Sequence, residues 1–106
     1  MAKRRDEKSE IVLQEVCNFY NVDREKLSNP RRFRELVDIR AMYYKISHEI
    51  TDSSIEEIGA RVNRCHATVL HSIRSIGNLV EYDVKIRTEY DILKSKLVDQ
   101  LYNEKA

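Results

Sequence analysis

The sequence is poor in residues that interrupt a helix, crosslink a chain or cross a bilayer. Its 106 residues include only two glycines, one proline, two cysteines and no tryptophan. With so few breakers, and with no segment whose apolar residues alternate as in a strand, a β architecture is excluded in favour of helices. Cys17 and Cys65 stand far apart and form no Cys-x-x-Cys pair, which argues against a disulfide scaffold or a zinc ribbon and fits a reduced cytoplasmic setting. No apolar run nears the roughly 20 residues of a membrane span, and Met1 to Glu10 lacks the apolar stretch of a signal peptide. Phosphate-binding loops and dinucleotide fingerprints are absent too, so no nucleotide, cofactor or ATPase module is expected. A formal charge of +1 gives no bulk sign of a polyanionic partner.

What is present is helical periodicity over a length suited to one domain. A first helix carries Val12, Leu13, Val16, Cys17 and Tyr20 inward, with Ser9 as its cap and Asn21 near its end. Asp23 to Leu27 reads as one short helical turn, and Ser28-Asn29-Pro30 as a loop. A long helix follows with Leu36, Ile39, Tyr43, Ile46 and Ile50 inward, and with Phe33 and Met42 at its margins. Ser53 or Ser54 opens a short helix bearing Ile55, Ile58 and Val62. After Asn63-Arg64-Cys65, a second amphipathic helix buries Val69, Leu70, Ile73 and Ile76 and turns Ala67, His71, Arg74 and Asn78 outward. A closing helix through Ile86, Tyr90, Leu93, Leu97 and Leu101 completes the expected all-α fold, a five- or six-helix bundle containing a helix-turn-helix. Residues 1–9 form a charged tail in this reading, 10–97 the domain, and 98–106 the end of the last helix.

Charge is distributed unevenly beneath the near-zero total. Residues 24–45 sum to +4 and 61–78 to +3, while 46–60 between them sum to −4. The stretch Arg61 to Asn78 holds three arginines, two histidines and no carboxylate. A surface that meets phosphates has this pattern, because carboxylates there repel the duplex; a solvated helix face that lacks acids is the plain alternative.

Ser54 to Ile73 meets the physical needs of a DNA-reading helix-turn-helix. Short residues must open the second helix so that its N-terminus enters a major groove about 12 Å wide, and Cys65, His66, Ala67 and Thr68 are short enough. His66 can donate to a purine edge and Ala67 can touch a thymine methyl. Thr68 and the N-terminal amides can hold a phosphate, with Arg64 and His71 flanking the groove.

The segment from Gly59 to Ser72 resembles the signature G-x-x-F-G-x-R-D-H-T-T-V-x-H-A of the DNA-binding domain IV of the bacterial DnaA initiators, with a turn one residue shorter. Upstream, Arg31-Arg32-Phe33-Arg34 and the helix through Arg40 are similar to that family's basic loop and long helix, and the likeness spans about residues 10–97. The resemblance implies sequence-specific binding of double-stranded DNA in replication initiation or its regulation, without catalysis. It assigns Arg32 to the minor groove and Cys65, His66 and Ala67 to the base edges. Arg31, Arg34, Arg40, Lys45, Arg64, Thr68 and His71 become phosphate contacts. Cys65 stands where the family has Asp, and Ala67 where it has Thr, so the preferred bases are expected to differ; Ile39 and Ala41 replace the family's Pro and Gln.

Other readings of these residues are weaker. Adjacent Cys65 and His66 diverge by about 100° on a helix and lack an orienting acid, so they do not form a nucleophile and base. His66 and His71 are five apart, a spacing unsuited to one metal. Most of the six tyrosines fall on core stripes and are read as packing, not as base-stacking platforms. Lys3-Arg4-Arg5 offers nonspecific phosphate contact at most, and A-form RNA suits this helix poorly because its major groove is deep and narrow. The competing function is a helical protein-interaction module that kept the fold. A replication or mobile-element protein is a further expected partner, with no membrane, and the expected location is cytoplasmic and nucleoid-associated.

Overall fold

The structure, a computed structural model, describes residues 8–30 and 34–102. Among the described residues six helices run in chain order: α1 (Lys8–Tyr20), α2 (Arg24–Ser28), α3 (Arg34–Ile50), α4 (Ile55–Ala60), α5 (His66–Tyr82) and α6 (Val84–Tyr102). There is no strand among the described residues. The long helix α3 is the axis of the bundle and packs against α1, α4, α5 and α6.

Its central position alters how α3 is buried. Leu36, Ile39, Tyr43 and Ile46 are in the core as expected, but Met42, expected at the margin, and Tyr44 are buried as well, while Ile50 is half-buried. A helix covered from several directions buries more than one stripe. Elsewhere Val12, Leu13, Val16, Cys17, Ile58, Val69, Ile76, Leu93 and Leu97 are buried as expected, whereas Tyr20, Ile55, Leu70, Ile73, Ile86, Tyr90 and Leu101 are half-buried at the edges of their stripes. Phe33 lies outside the described residues, as do 1–7 and 103–106.

Helix ends follow local chemistry, with one exception. At the end of α1, Asn21 takes a left-handed φ of 56°, and the Val22 and Asn21 amides donate back to Cys17 and Asn18 carbonyls at 3.0 and 3.3 Å, a Schellman closure. Asp83 separates α5 from α6, its carboxylate accepting from the Lys85 and Ile86 amides at 3.0 and 3.2 Å. Ser9 is the exception. Ser9 lies within α1, not before it, and is fully buried. Its hydroxyl accepts from Ser53 Oγ at 2.8 Å and from Arg61 Nε at 2.9 Å. A side chain claimed by two donors from distant elements serves packing, not capping.

Candidate nucleic-acid interface

Helices α4 and α5 and the turn between them form the helix-turn-helix. Ser54 starts α4 with a complete capping box: its hydroxyl accepts from the Glu57 amide at 3.1 Å, and Glu57 Oε1 accepts from the Ser54 amide at 3.0 Å. The helix stops after Ala60 because Asn63 adopts φ 58°. Arg64 N then donates to Gly59 O at 2.9 Å and Asn63 N to Ala60 O at 3.1 Å, a second Schellman closure. Val62, expected on α4, falls in this turn and remains fully buried.

Gly59 is required by the tightness of that turn. A Cβ here would lie 2.5 Å from the Arg64 carbonyl oxygen and 2.9 Å from Val69 Cγ2. Both are rigidly placed, so no side chain fits without moving α5. The absent side chain sets the approach of the two helices.

Cys65 is the residue before α5, with extended φ −85° and ψ 166°, and makes no side-chain cap hydrogen bond. Its exposed thiol sits 3.3 Å from Thr68 Oγ1. That hydroxyl, followed by the amides of the first turn, holds the thiol below its ordinary value of 9.0, since partial positive charge at a helix start favours an anion. His66, Ala67, Thr68, His71, Arg74 and Asn78 are all exposed. The outward face read from the periodicity of α5 is therefore the face that meets solvent.

A groove of about 460 Å³ separates this face from α3. Arg40 and Tyr44 line it from α3, and Arg64, Ala67, Thr68 and His71 line it from the turn and α5. Five of the residues proposed from sequence thus meet in one depression, and it has no carboxylate among its lining. Arg64 is half-buried and holds three carbonyls: Val62 at 3.0 Å, Asn63 at 3.3 Å and Asn29 at 2.7 Å. The last of these fastens the turn to the connection between α2 and α3.

Two of the expected phosphate contacts are differently placed. Arg40 is only 4% exposed, and its Nε donates to Leu27 O at 2.8 Å, so its guanidinium braces α2 on α3 from the groove floor and is no open surface contact. Lys45 is absent from the groove. Its Nζ pairs with Glu49 at 2.7 Å and lies 5.2 Å from the centre of the Tyr90 ring. Glu49 also takes Lys94 at 3.0 Å and the Tyr90 hydroxyl. Burial raises this carboxyl, but the hydrogen bonds from Lys45, Tyr90 and Lys94 together hold it below its ordinary value of 4.5. Lys45 is thereby committed to joining α3 and α6. Arg31 and Arg32 lie outside the described residues, as does the side chain of Arg34.

The sequence reading left two residues out of the site. Arg74 is exposed on the same face as Ala67 and His71, and its spacing alone was signal enough. Tyr44 carries no such signal, because an aromatic beside a core stripe reads as packing. Among the described residues no cluster of His, Cys, Asp or Glu could hold a metal, and no helix is long and apolar enough to cross a membrane.

Comparison with known proteins agrees with this geometry. Residues 9–76 match the family described as bacterial dnaA protein helix-turn-helix. The chromosomal replication initiator protein DnaA of Rhizobium meliloti is 38% identical over 86 residues, 80% of this chain and 18% of that protein. DnaA of Streptococcus thermophilus is 34% identical over 89 residues, 83% of this chain and 20% of that one. DnaA of Caldanaerobacter subterraneus is 26% identical over 95 residues, 90% of this chain and 21% of its own length. The chain spans about a fifth of the length of these relatives. With the family matched through the turn, Gly59 and the start of α5, this chain belongs to the bacterial DnaA helix-turn-helix family.

Proposed function

We propose that this chain binds double-stranded DNA sequence-specifically, as a non-catalytic module acting in replication initiation or its regulation. The observation that carries the reading is the face of α5. His66, Ala67, His71 and Arg74 are exposed together beside a groove with no carboxylate in its lining. A helix that presents short residues at its N-terminus and cations along its flank suits the major groove.

In this reading His66 and Ala67 meet base edges, Cys65 faces the first of them, and Thr68, Arg64, His71 and Arg74 meet phosphates. Arg32 would enter the minor groove, with Arg31 and Arg34 on the backbone beside it. Arg40 supports the groove floor, and Lys45 takes no part. The thiol and methyl at Cys65 and Ala67 accept fewer hydrogen bonds than the Asp and Thr of the family signature, which predicts a preferred site distinct from the one that signature reads.

Selection from a random duplex pool, with the bound fraction sequenced, tests the proposal directly. An enriched motif, with affinity that falls as salt rises, is the expected result. Recovery of no motif and no salt-dependent affinity would overturn it and favour the protein-interaction module. Cys65→Asp together with Ala67→Thr should move the enriched motif; an unmoved motif would remove both positions from base reading.

A further inference from the structure

Tyr44, which lines the groove from α3, carries a buried polar atom with no partner among the described residues. Tyr44 is 1% exposed, and its hydroxyl, itself shut off from solvent, makes no hydrogen bond to any described residue. Tyr43, its neighbour, shows the ordinary solution: its hydroxyl donates to Ile58 O at 2.7 Å. Buried hydroxyls are nearly always paired, because leaving one unpaired forfeits its hydration with no return. A phenylalanine would fill the same space without that cost.

The surroundings of the hydroxyl indicate what it awaits. Arg40 and Arg64 are the charged groups that act on it, with the Cys65 thiol the third neighbour. Thr68 and His71 line the same groove, and Val37 and Ser72 complete it without a carboxylate. Burial pushes the phenol up to about 12, so at neutral pH it is a donor in a cationic cleft. A donor so placed suits a phosphate oxygen, and the groove opens beside the first turn of α5, where a duplex backbone would pass.

We propose that the Tyr44 hydroxyl is a further DNA-contacting group, which donates to a backbone phosphate seated in the groove between α3 and α5. This rests on the duplex-binding reading above. The contact is with the backbone, so it carries no sequence information. It is also neutral, so it displaces no counterion of its own. The hydroxyl is closed to solvent in the free protein, so the contact forms only as groove side chains move aside for the phosphate.

Tyr44→Phe tests this, because it removes one oxygen and leaves the ring. Duplex affinity should fall about five- to ten-fold, equally for preferred and random sequences, with an unchanged selected motif and an unchanged salt slope. The melting temperature of the free variant should be equal to or above that of the parent. Equal affinity in parent and variant would overturn the proposal, as would a lower melting temperature, which would mark an internal bond. Inorganic phosphate titrated into both proteins, followed by amide shifts of Thr68 and His71, separates the two readings. Saturable shifts in the parent alone support the groove as a phosphate site even if duplex selection fails. Identical responses in parent and variant count against Tyr44.

Discussion

Two segments of this chain, 24–45 at +4 and 61–78 at +3, are both basic and differ in what they leave open to a partner. In residues 24–45 three cations are turned to internal use: Arg24 pairs with Glu10, Arg40 braces Leu27 and Lys45 pairs with Glu49, while Lys26 is exposed and the side chains of Arg31, Arg32 and Arg34 lie outside the described residues. In residues 61–78 Arg61 is spent on Ser9 and Glu10, and Arg64 holds the Val62, Asn63 and Asn29 carbonyls. His66, His71 and Arg74 face solvent. A segment's net charge counts cations without regard to where their fields end. What a partner meets is the remainder after internal pairing, and among the described residues of 61–78 that remainder is the face of α5 with Arg74, His66 and His71.

Arg40→Ala should have the largest effect, and on stability. It removes a buried side chain and leaves the Leu27 carbonyl without its donor, which costs about 2–4 kcal/mol. Urea denaturation measures it. A loss under about 0.5 kcal/mol would return Arg40 to the surface class of cations.

His66→Ala addresses the exposed segment. It should cost about 1–3 kcal/mol of binding on the preferred duplex and relax one base position, with stability nearly unchanged. Competition binding against single-base variants of the site reads both. Unchanged preference would show that α5 is not the reading helix.

Arg74→Ala sharpens the contrast at lower cost. Affinity should weaken alike for all sequences, and the salt slope should fall by about one, since one phosphate contact is lost. Lys45→Ala is its counterpart in the other segment. It should leave the salt slope untouched and lower stability by about 0.5–1 kcal/mol, the usual scale for a partly exposed pair. If the two variants exchanged behaviour, the division between the segments would fail.

The smallest effect concerns acid. Arg24, by hydrogen bonding first and then by its charge, and Arg61 together hold the Glu10 carboxyl below its ordinary 4.5. A carboxyl depressed in the folded state contributes stability that is complete above the unfolded value and fades as pH falls through the folded one. Glu10→Gln should therefore lower stability slightly at neutral pH and flatten the profile below about pH 4.5, so that parent and variant converge in acid, in thermal melts across that range. A parallel profile for parent and variant would show that the cluster is not ionically coupled.

Much of the fold was legible because helices advertise themselves locally. The stripes of α1, α5 and α6 and the capping serine of α4 all follow from spacing that repeats every 3.6 residues. The outward set Ala67, His71, Arg74 and Asn78 was readable for the same reason, and each is exposed. Less legible was anything set by partners distant along the chain. Ser9 has the sequence context of a cap, and only the arrival of Ser53 and Arg61 shows it to be a core hydroxyl. Met42 and Tyr44 look marginal beside their stripe until four other helices enclose α3.

By itself the sequence determined the helical class, the helix-turn-helix and the face of α5 that points away from the core. Each of these depends on interactions within a few residues, whose geometry the backbone repeats identically wherever it forms a helix. Tertiary structure alone decided which cations remain open and left the Tyr44 hydroxyl without a partner among the described residues. Those outcomes rest on contacts between residues such as Glu10 and Arg61, 51 positions apart. Charge and hydrogen-bonding capacity are properties of a residue, but whether they are already satisfied is a property of its packed neighbours.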